Sequence, residues 1–381
     1  MTAINITNEA QNVPDGRYVF IDWLRFTAPL FAMNHLDRAN SKGIDFDDNF
    51  AVFRLPKPDY KHCKGDARQK RIEIYQQRYR EALIIRLKDF CRLCLGFECS
   101  PFCRGRNGYT DGFKIMTPDG LTAGDVSFGG NNDTFCIDIT GTGCSYLFDN
   151  QRRSEHDARY MTPEILHFWL SEVLSISRIK RVDFACDFRD GSVVVDDARK
   201  AYKVGAFRRS TGRYPSFTDI QKGDENGVLT GDTFYVGTRV SSVMWRVYNK
   251  ALQLGVDTDW TRAEVQLNDC SVDVLLNIGG TYTGLCEFAQ SICPAQPVSM
   301  PAFDQVKKAS AHILSKTRWL RNQVSKTMHG LLEYFQGDLS AVFGVMMRQD
   351  DIDNLVMHEV LDRYSVSPTA LRLNNFVNAY A

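Results

Sequence analysis

The sequence predicts an α+β protein in which an antiparallel-sheet domain carries an inserted helical segment and a helical C-terminal region. Short stretches of alternating apolar side chains, broken by glycine, recur between residues 105 and 147 and again between 178 and 267. Apolar residues near a 3.6-residue period run from Asp66 to Leu95, and helical patterns fill the chain from Phe303 onward. Strands therefore precede the final run of helices, as is typical of this class.

The remaining elements follow from local signals. Residues 17–28 (RYVFIDWLRFTA) are rich in β-branched and aromatic side chains and predict the first strand. Thr162 as N-cap and Pro163 at the first helical position predict a helix from Glu164 to about Ser175. Further predicted elements are the strand RIKRVDFACDF, a helix over 196–202, paired strands over 233–236 and 243–249, and a strand over 262–267.

These signals divide the chain into a flexible N-terminus (1–16), a sheet domain (17–298) with an insertion at about 30–104, and a helical C-terminal region (299–381). Apolar residues make up 44% and charged residues 24% of the 381, as in ordinary soluble proteins. No apolar run approaches the roughly 20 residues that span a bilayer. The N-terminus has no secretory signal, so we expect a cytoplasmic protein in a bacterial host, without membrane partners.

Eleven cysteines are expected to be reduced in that compartment. Most lie singly in apolar stretches, where a thiol packs as a small hydrophobe. Four cysteines within thirteen residues (Cys91, Cys94, Cys99 and Cys103) allow a zinc site, but their spacing departs from paired CxxC knuckles. Packing is the favoured interpretation of this cluster.

The formal net charge is zero, which argues against nucleic acid until the distribution of charge is considered. Residues 61–92 contain ten Lys or Arg against four Asp or Glu, and residues 305–332 contain six and none. Such runs are often only solvated helix faces. Charge alone therefore leaves DNA binding open.

Three strands place polar groups on one face, because side chains alternate along a strand. Asp183 and Asp187 share a face in RVDFACD (181–187). One face of WRVYNK (245–250) carries Arg246, Tyr248 and Lys250, and one face of TRAEVQL (261–267) carries Arg262, Glu264 and Gln266. Each strand alone could be a half-exposed sheet with cross-strand ion pairs. Together, carboxylates, a tyrosine and cations suit phosphodiester transfer.

The order and wording of these motifs resemble the rolling-circle replication initiation proteins of plasmids and filamentous phages. The resemblance rests on RVDFACD, on the segment from Gly237-Thr238-Arg239-Val240-Ser241 into RVYNK, and on TRAEVQL. VFIDWLRFT and CIDITGTGC resemble the family's first strand and its second carboxylate-bearing strand. The likeness covers about residues 17–28 and 105–290. Thr261 and Ala263 depart from the residues that the plasmid proteins favour, which concerns local packing rather than the carboxylate.

The resemblance implies that Tyr248 is the DNA-nicking nucleophile. It also implies that Asp183 and Glu264, and more loosely Asp138, hold a divalent metal. Hard carboxylate oxygens suit Mg²⁺ or Mn²⁺. Because Asp183 and Asp187 lie roughly 13 Å apart along an extended strand, Asp187 is expected to support the ligands or face DNA instead.

The chemistry is plausible on its own terms. Holding a phenol of pKa near 10 as phenolate at pH 7 costs about 4 kcal/mol unless cations help. Arg246 and Lys250, two residues from Tyr248, and the metal are expected to supply that help. Attack by the tyrosine would leave a 5′-phosphotyrosine and a 3′-OH that primes a polymerase.

Origin DNA, single-stranded or as supercoiled duplex, is therefore the expected partner, with a host helicase and polymerase. The sequence also allows a homodimer. The expected DNA contacts are Arg208, Arg209, Arg213, Arg239, Lys307, Lys308, Arg318 and Arg321. Two alternatives stay open. A non-catalytic origin-binding protein or repressor could retain the fold, and a hydrolase of another phosphodiester would use water in place of Tyr248.

Overall fold

A computed structural model of the protein describes residues 19–42, 55–56, 62–150, 160–209, 213–298, 324 and 326–346. Contacts within the chain form two compact units, Met1–Pro301 and Ala302–Ala381. The segment 1–16 and most of the C-terminal region lie outside the described residues. In the second unit, residues 326–335 are mainly helical and a further helix spans Leu339–Met346.

The first unit is built on one antiparallel sheet of ten strands, in the order β2-β3-β4-β5-β1-β6-β10-β9-β8-β7. Sequential strands pair on both flanks, whereas β1, β6 and β10 meet in the centre from distant parts of the chain. The strands are β1 (Val19–Pro29), β2 (Glu98–Arg104), β3 (Asp111–Met116), β4 (Thr122–Phe128), β5 (Thr134–Ile139), β6 (Arg178–Phe188), β7 (Phe217–Gly223), β8 (Leu229–Val236), β9 (Val243–Asn249) and β10 (Thr261–Ser271).

Helices connect and cover the strands. The longest, Gly65–Asp89, continues through a π-helical turn at Phe90–Cys94. The other α-helices of this unit are Gly141–Phe148, Pro163–Phe168, Val195–Lys203, Lys250–Leu254, Ile278–Thr283 and Glu287–Ile292. Shorter or irregular helical segments are Leu30–Lys42, Asn131–Asp133, Trp169–Val173 and Val272–Leu276. No helix in the described ranges is long and apolar enough to cross a membrane.

The hydrophobic core lies on one face of the sheet. Phe184, Val265 and Val247 on three neighbouring strands are fully buried there. Tyr282, from the helix Ile278–Thr283, packs against them and donates a hydrogen bond to the Ala263 carbonyl at 3.2 Å. Period-two alternation then directs the intervening side chains to the opposite face, which carries the polar groups.

Most predicted elements are confirmed. The Thr162 hydroxyl accepts a hydrogen bond from the Ile165 amide at 3.2 Å, as expected of an N-cap. One predicted strand was wrong in its extent. The strand predicted over CIDITGTGC (136–144) ends at Ile139, and a helix begins at Gly141. A Cβ on Gly143 would lie 2.3 Å from the Ala123 carbonyl oxygen, so glycine permits this helix to pack directly on β4. Strands β2 and β7 were not predicted, and β2 lies at the end of the segment expected to be a helical insertion.

An irregularity in β1 alters which side chains reach the polar face. The pairing of β1 with β6 shifts between Ile21 and Trp23 and leaves Asp22 as an extra residue. Ile21 is buried in the core, whereas Trp23 pairs with Asp183. Asp22 also contacts a polar-face side chain, Arg262. The bulge therefore brings two consecutive side chains to the same side of the sheet.

Candidate active site

The polar face of the central strands arranges its side chains in rows fixed by strand register. Tyr248 on β9 lies opposite Arg262 on β10, which lies opposite Asp187 on β6. In the next row, Arg246 lies opposite Glu264. The alternation expected from the sequence is thus observed, and the register aligns the three motifs.

Asp183 and Glu264 form a buried carboxylate pair. They are 1% and 3% exposed, and their carboxyl groups share a hydrogen bond. Arg246 donates to the Glu264 carboxylate at 2.5 Å, and Arg181 donates through Nε to Asp183 at 2.8 Å. Burial raises the pKa of Glu264, Arg246 opposes that rise, and the charge of Asp183 adds to it.

Arg262 forms a second cluster beside this pair. Its guanidinium donates to Asp187 at 2.6 and 2.8 Å and to Asp22 at 2.7 Å. Burial raises the pKa of Asp22, the charge of Glu264 raises it further, and Arg262 opposes both. Arg262 therefore joins the bulge of β1 to β6 through two carboxylates, and we name these three residues the Arg262 bridge.

Tyr248 lies on β9 beside Arg262 and one row from Glu264, and it is 6% exposed. The Arg246 guanidinium carbon is 5.0 Å and the Lys250 Nζ is 5.5 Å from the centre of its ring. Burial and the charge of Glu264 nevertheless raise the pKa of Tyr248, while Arg262 and Arg246 oppose that rise. The protein cations expected to favour phenolate are present, but they do not outweigh burial.

Lys250 begins the helix Lys250–Leu254, directly after the strand that carries Tyr248. Its Nζ contacts the Gln253 side-chain oxygen at 3.0 Å. Burial and the charge of Arg262 lower the pKa of Lys250, and nearby carboxylates such as Asp22 oppose this shift. The amine thus gives up its proton more readily than an ordinary lysine.

The expected metal ligands are only partly brought together. Asp183 and Glu264 meet, and two touching buried carboxylates offer the hard oxygen donors that suit Mg²⁺ or Mn²⁺. Asp138, on β5, instead accepts hydrogen bonds from Trp23 at 2.6 Å and Arg25 at 2.8 Å. In the part of the chain that the structure describes, no three His, Cys, Asp or Glu side chains cluster as metal ligands.

The expected DNA contacts fall into two sets. Arg209 donates to the Ser242 hydroxyl at 3.0 Å, next to the β8–β9 connection that carries Arg239. Arg208 lies over the ring of Tyr214 at 5.4 Å, and Arg213 is exposed. Residues 210–212 of this loop lie outside the described residues, as do Lys307, Lys308, Arg318 and Arg321.

All eleven cysteines are free. Cys91 and Cys94 are buried in the core, whereas Cys103 on the edge strand β2 is exposed. Cys91 and Cys99 share a hydrogen bond, and burial raises the pKa of Cys91.

Asp22 and Arg25 were missed as site residues by sequence reasoning. The available signal was the run Ile21-Asp22-Trp23 inside an apolar strand, which places a carboxylate where alternation expects a core side chain. Only the bulge and the partner strands show that Asp22 reaches Arg262, at 2.7 Å.

Comparison with known proteins agrees with the motif resemblance. The model of a family described as replication initiation factor matches residues 177–356, a range that contains β6, β9 and β10 with their polar side chains. The fold is similar to a rolling-circle replication initiator protein from Geobacillus stearothermophilus, with 18% identity and a TM-score of 0.46 over 71% of this chain and 84% of that one. No curated protein sequence matches. Residues 177–356, slightly less than half of the chain, are therefore similar to the replication initiation factor family.

Proposed function

We propose that this protein initiates rolling-circle replication by nicking one DNA strand at an origin, with Tyr248 as the nucleophile. The observation that carries the proposal is the placement of Tyr248. It lies in the family-matched segment, opposite Arg262 and one row from Glu264. A tyrosine between carboxylates and guanidinium groups suits transfer of a phosphoryl group.

The proposed step exchanges one phosphodiester for another. The Tyr248 hydroxyl oxygen attacks the scissile phosphorus, the bond to the 3′ oxygen breaks, and the 5′ end stays attached to the tyrosine. The departing 3′ oxygen takes up a proton and becomes the primer terminus. Because one ester bond replaces another, the phosphotyrosine keeps the bond energy needed for later rejoining.

The phenolic proton must leave as the new bond forms. The Lys250 Nζ, 5.5 Å from the centre of the tyrosine ring, is the neighbouring amine that would take it up after losing its own proton, a loss that its lowered pKa favours. Arg246, 5.0 Å from the tyrosine ring, is placed to stabilise negative charge on the phosphate oxygens. Arg262 holds Asp22 and Asp187 and so orients the surroundings of the nucleophile.

Asp183 and Glu264 would hold a divalent metal, Mg²⁺ or Mn²⁺. Such an ion would withdraw charge from the phosphate when bound. Asp138 is a weaker candidate because β1 separates its strand, β5, from β6, which carries Asp183. A host polymerase that extends the 3′-OH, a helicase and a second copy of the chain remain proposed partners.

The test is incubation of wild-type protein, Tyr248→Phe and Tyr235→Phe with supercoiled origin DNA and Mn²⁺ or Mg²⁺. Tyr235 is the matched control, since it lies on β8 opposite Arg246 but one row away from Tyr248. Wild type and Tyr235→Phe should give open circles with protein attached to the 5′ end. Tyr248→Phe should lose this product by about 10³-fold or more.

Origin binding without nicking by the wild type, with either metal, would favour the non-catalytic origin binder. Nicking that survives in Tyr248→Phe, without attached protein, would move the chemistry to water. Loss in Tyr235→Phe alone would assign the nucleophile to β8.

A further inference from the structure

A cleft of about 900 Å³ opens on the polar face beside the carboxylate pair. Arg246 and Glu264 line one end, one row from Tyr248. From there the lining continues through Gln266 to Thr27 on β1. If the scissile phosphate of a DNA strand lies at Tyr248, the nucleotides on one side of it would therefore enter this cleft.

The lining is strongly cationic. It includes five basic side chains and a single carboxylate, that of Glu264. Phosphate groups along a nucleic acid are the ligands such a surface favours. The basic side chains are Arg25, Lys180, Arg181, Arg239 and Arg246.

Three of these arginines are paired with acids that are less exposed than the arginines themselves. In the pair Arg181–Asp183 the side chains are 25% and 1% exposed. In Arg246–Glu264 they are 35% and 4% exposed, and in Arg25–Asp138 they are 31% and 16% exposed. Each carboxylate thus lies beneath its guanidinium, which keeps donors available toward the cleft, as a phosphate-binding surface requires.

Hydrogen bonds to its own backbone position Arg239 at the rim of the cleft. The Asn268 side chain donates to the carbonyls of Arg239 and Ser241 at 2.9 and 2.7 Å. The Arg239 guanidinium makes no ion pair with another described residue. This loop is therefore anchored while its cation stays free for a ligand.

The opposite wall of the cleft presents amides. Asn107, Asn131 and Asn132 line it, all three are exposed, and none of their side chains bonds to another described residue. Their φ angles are 54°, 47° and 57°, in the left-handed region that costs non-glycine residues energy. Thr134 fixes the turn, because its hydroxyl donates to the Asn131 carbonyl at 2.8 Å.

We infer that this cleft binds the single strand flanking the nick and that its asparagine wall reads base identity there. The inference rests on the proposed function. An amide both donates and accepts hydrogen bonds, so it can distinguish the edges of unpaired bases. Tyr235, half-buried in the lining, offers a ring on which a base can stack. A volume near 900 Å³ suits a short stretch of nucleotides rather than a duplex.

The test measures binding of a fluorescent single-stranded origin oligonucleotide to Tyr248→Phe protein without metal, by anisotropy across a salt series. Added substitutions are Lys180→Gln with Arg239→Gln, and Asn131→Gly with Asn132→Gly. Glycine removes the amides while keeping the left-handed backbone accessible. Lys222→Gln, an exposed cation on β7, is the charge control.

Loss of two phosphate contacts should weaken binding about tenfold. It should also reduce the magnitude of the slope of log binding constant against log salt concentration by about 1.4. The asparagine variant should bind unrelated oligonucleotides like its parent but lose several-fold of its preference for the origin. Lys222→Gln should match its parent. Unchanged affinity in the first variant, or unchanged sequence preference in the second, would overturn the inference.

Because no nicking is measured, failure of this inference can be distinguished from failure of the nickase proposal. If the cleft variants bind more weakly but the wild type never nicks DNA, the cleft is a DNA-binding site and Tyr248 is not a nucleophile. If the wild type nicks DNA but the cleft variants bind as tightly as their parent, Tyr248 remains the proposed nucleophile and the cleft is not the binding site.

Discussion

Two arginines in the described part of the chain each join two aspartates, and the two bridges lie in different surroundings. Arg262 bridges Asp22 and Asp187 beside Tyr248. Arg199, in the helix Val195–Lys203, bridges Asp219 and Asp232 on the outer hairpin of β7 and β8. The chemical composition of the two bridges is the same.

The pKa shifts of one aspartate from each bridge, Asp22 and Asp219, have opposite signs. Arg199 lowers the pKa of Asp219, whose side chain is 35% exposed. Burial and the charge of Glu264 raise the pKa of Asp22, although Arg262 bonds to it at 2.7 Å. Pairing with arginine therefore does not set the sign by itself. Burial and further carboxylates do, and they collect around Tyr248.

Replacing each arginine by glutamine should give the largest difference in effect between the two bridges. Arg262→Gln leaves two largely buried carboxylates without their partner, so we expect about 3–5 kcal/mol loss of unfolding free energy. Nicking should fall by about 10²-fold or more, because uncompensated negative charge would face the scissile phosphate. Arg199→Gln leaves one half-exposed and one largely buried carboxylate, so it should cost less, about 1–2 kcal/mol, and leave nicking within about twofold.

Urea unfolding and single-turnover nicking of origin DNA measure the two effects separately. Equal losses of nicking in both variants would mean that Arg262 acts only through the stability of the sheet.

Replacing arginine by lysine should give a smaller contrast. Lysine keeps the charge but cannot reach two carboxylates with a planar fork. We expect Arg262→Lys to nick about tenfold more slowly than wild type and Arg199→Lys to nick at the wild-type rate. Single-turnover rates at saturating DNA provide the comparison. A fully active Arg262→Lys would show that charge alone, and not the bridging geometry, is needed there.

The pH dependence of stability should give the smallest effect, and its sign should be opposite for Asp22 and Asp219. The pKa of Asp22 is raised above its ordinary value of 3.8 in the folded protein. Wild type should therefore lose stability relative to Asp22→Asn as the pH rises from 3.8 through the folded pKa. The pKa of Asp219 is lowered, so wild type should lose stability relative to Asp219→Asn as the pH falls from 3.8 through the folded pKa.

Denaturant unfolding of the three proteins across acidic to neutral pH tests both slopes. Slopes of the same sign would show that the two bridges share one electrostatic environment.

Much of this architecture follows from local sequence signals. Alternation in TRAEVQL predicted that Arg262, Glu264 and Gln266 share a face, and the structure confirms it. Thr162 and Pro163 predicted the start of a helix in the same way. Such features depend on residues within a few positions of each other, so the sequence alone determines them.

The composition of the site depended on tertiary structure. The family resemblance groups Asp138, more loosely, with Asp183 and Glu264 as metal ligands. The order β5-β1-β6 instead inserts Arg25 between them, opposite Asp138. Which side chain fills that gap depends on pairing between strands more than 100 residues apart, which no local pattern encodes.

By itself, the sequence determined the class of fold, the faces of its strands and the motifs around Tyr248. Each of these follows from side-chain periodicity or from residues adjacent in the chain. Only the tertiary structure decided that Asp22 joins Arg262, that Asp183 meets Glu264, and that buried acids present arginines to a cleft. These outcomes depend on one bulge and on the register of distant strands, where a shift of one residue would move every side chain to the other face.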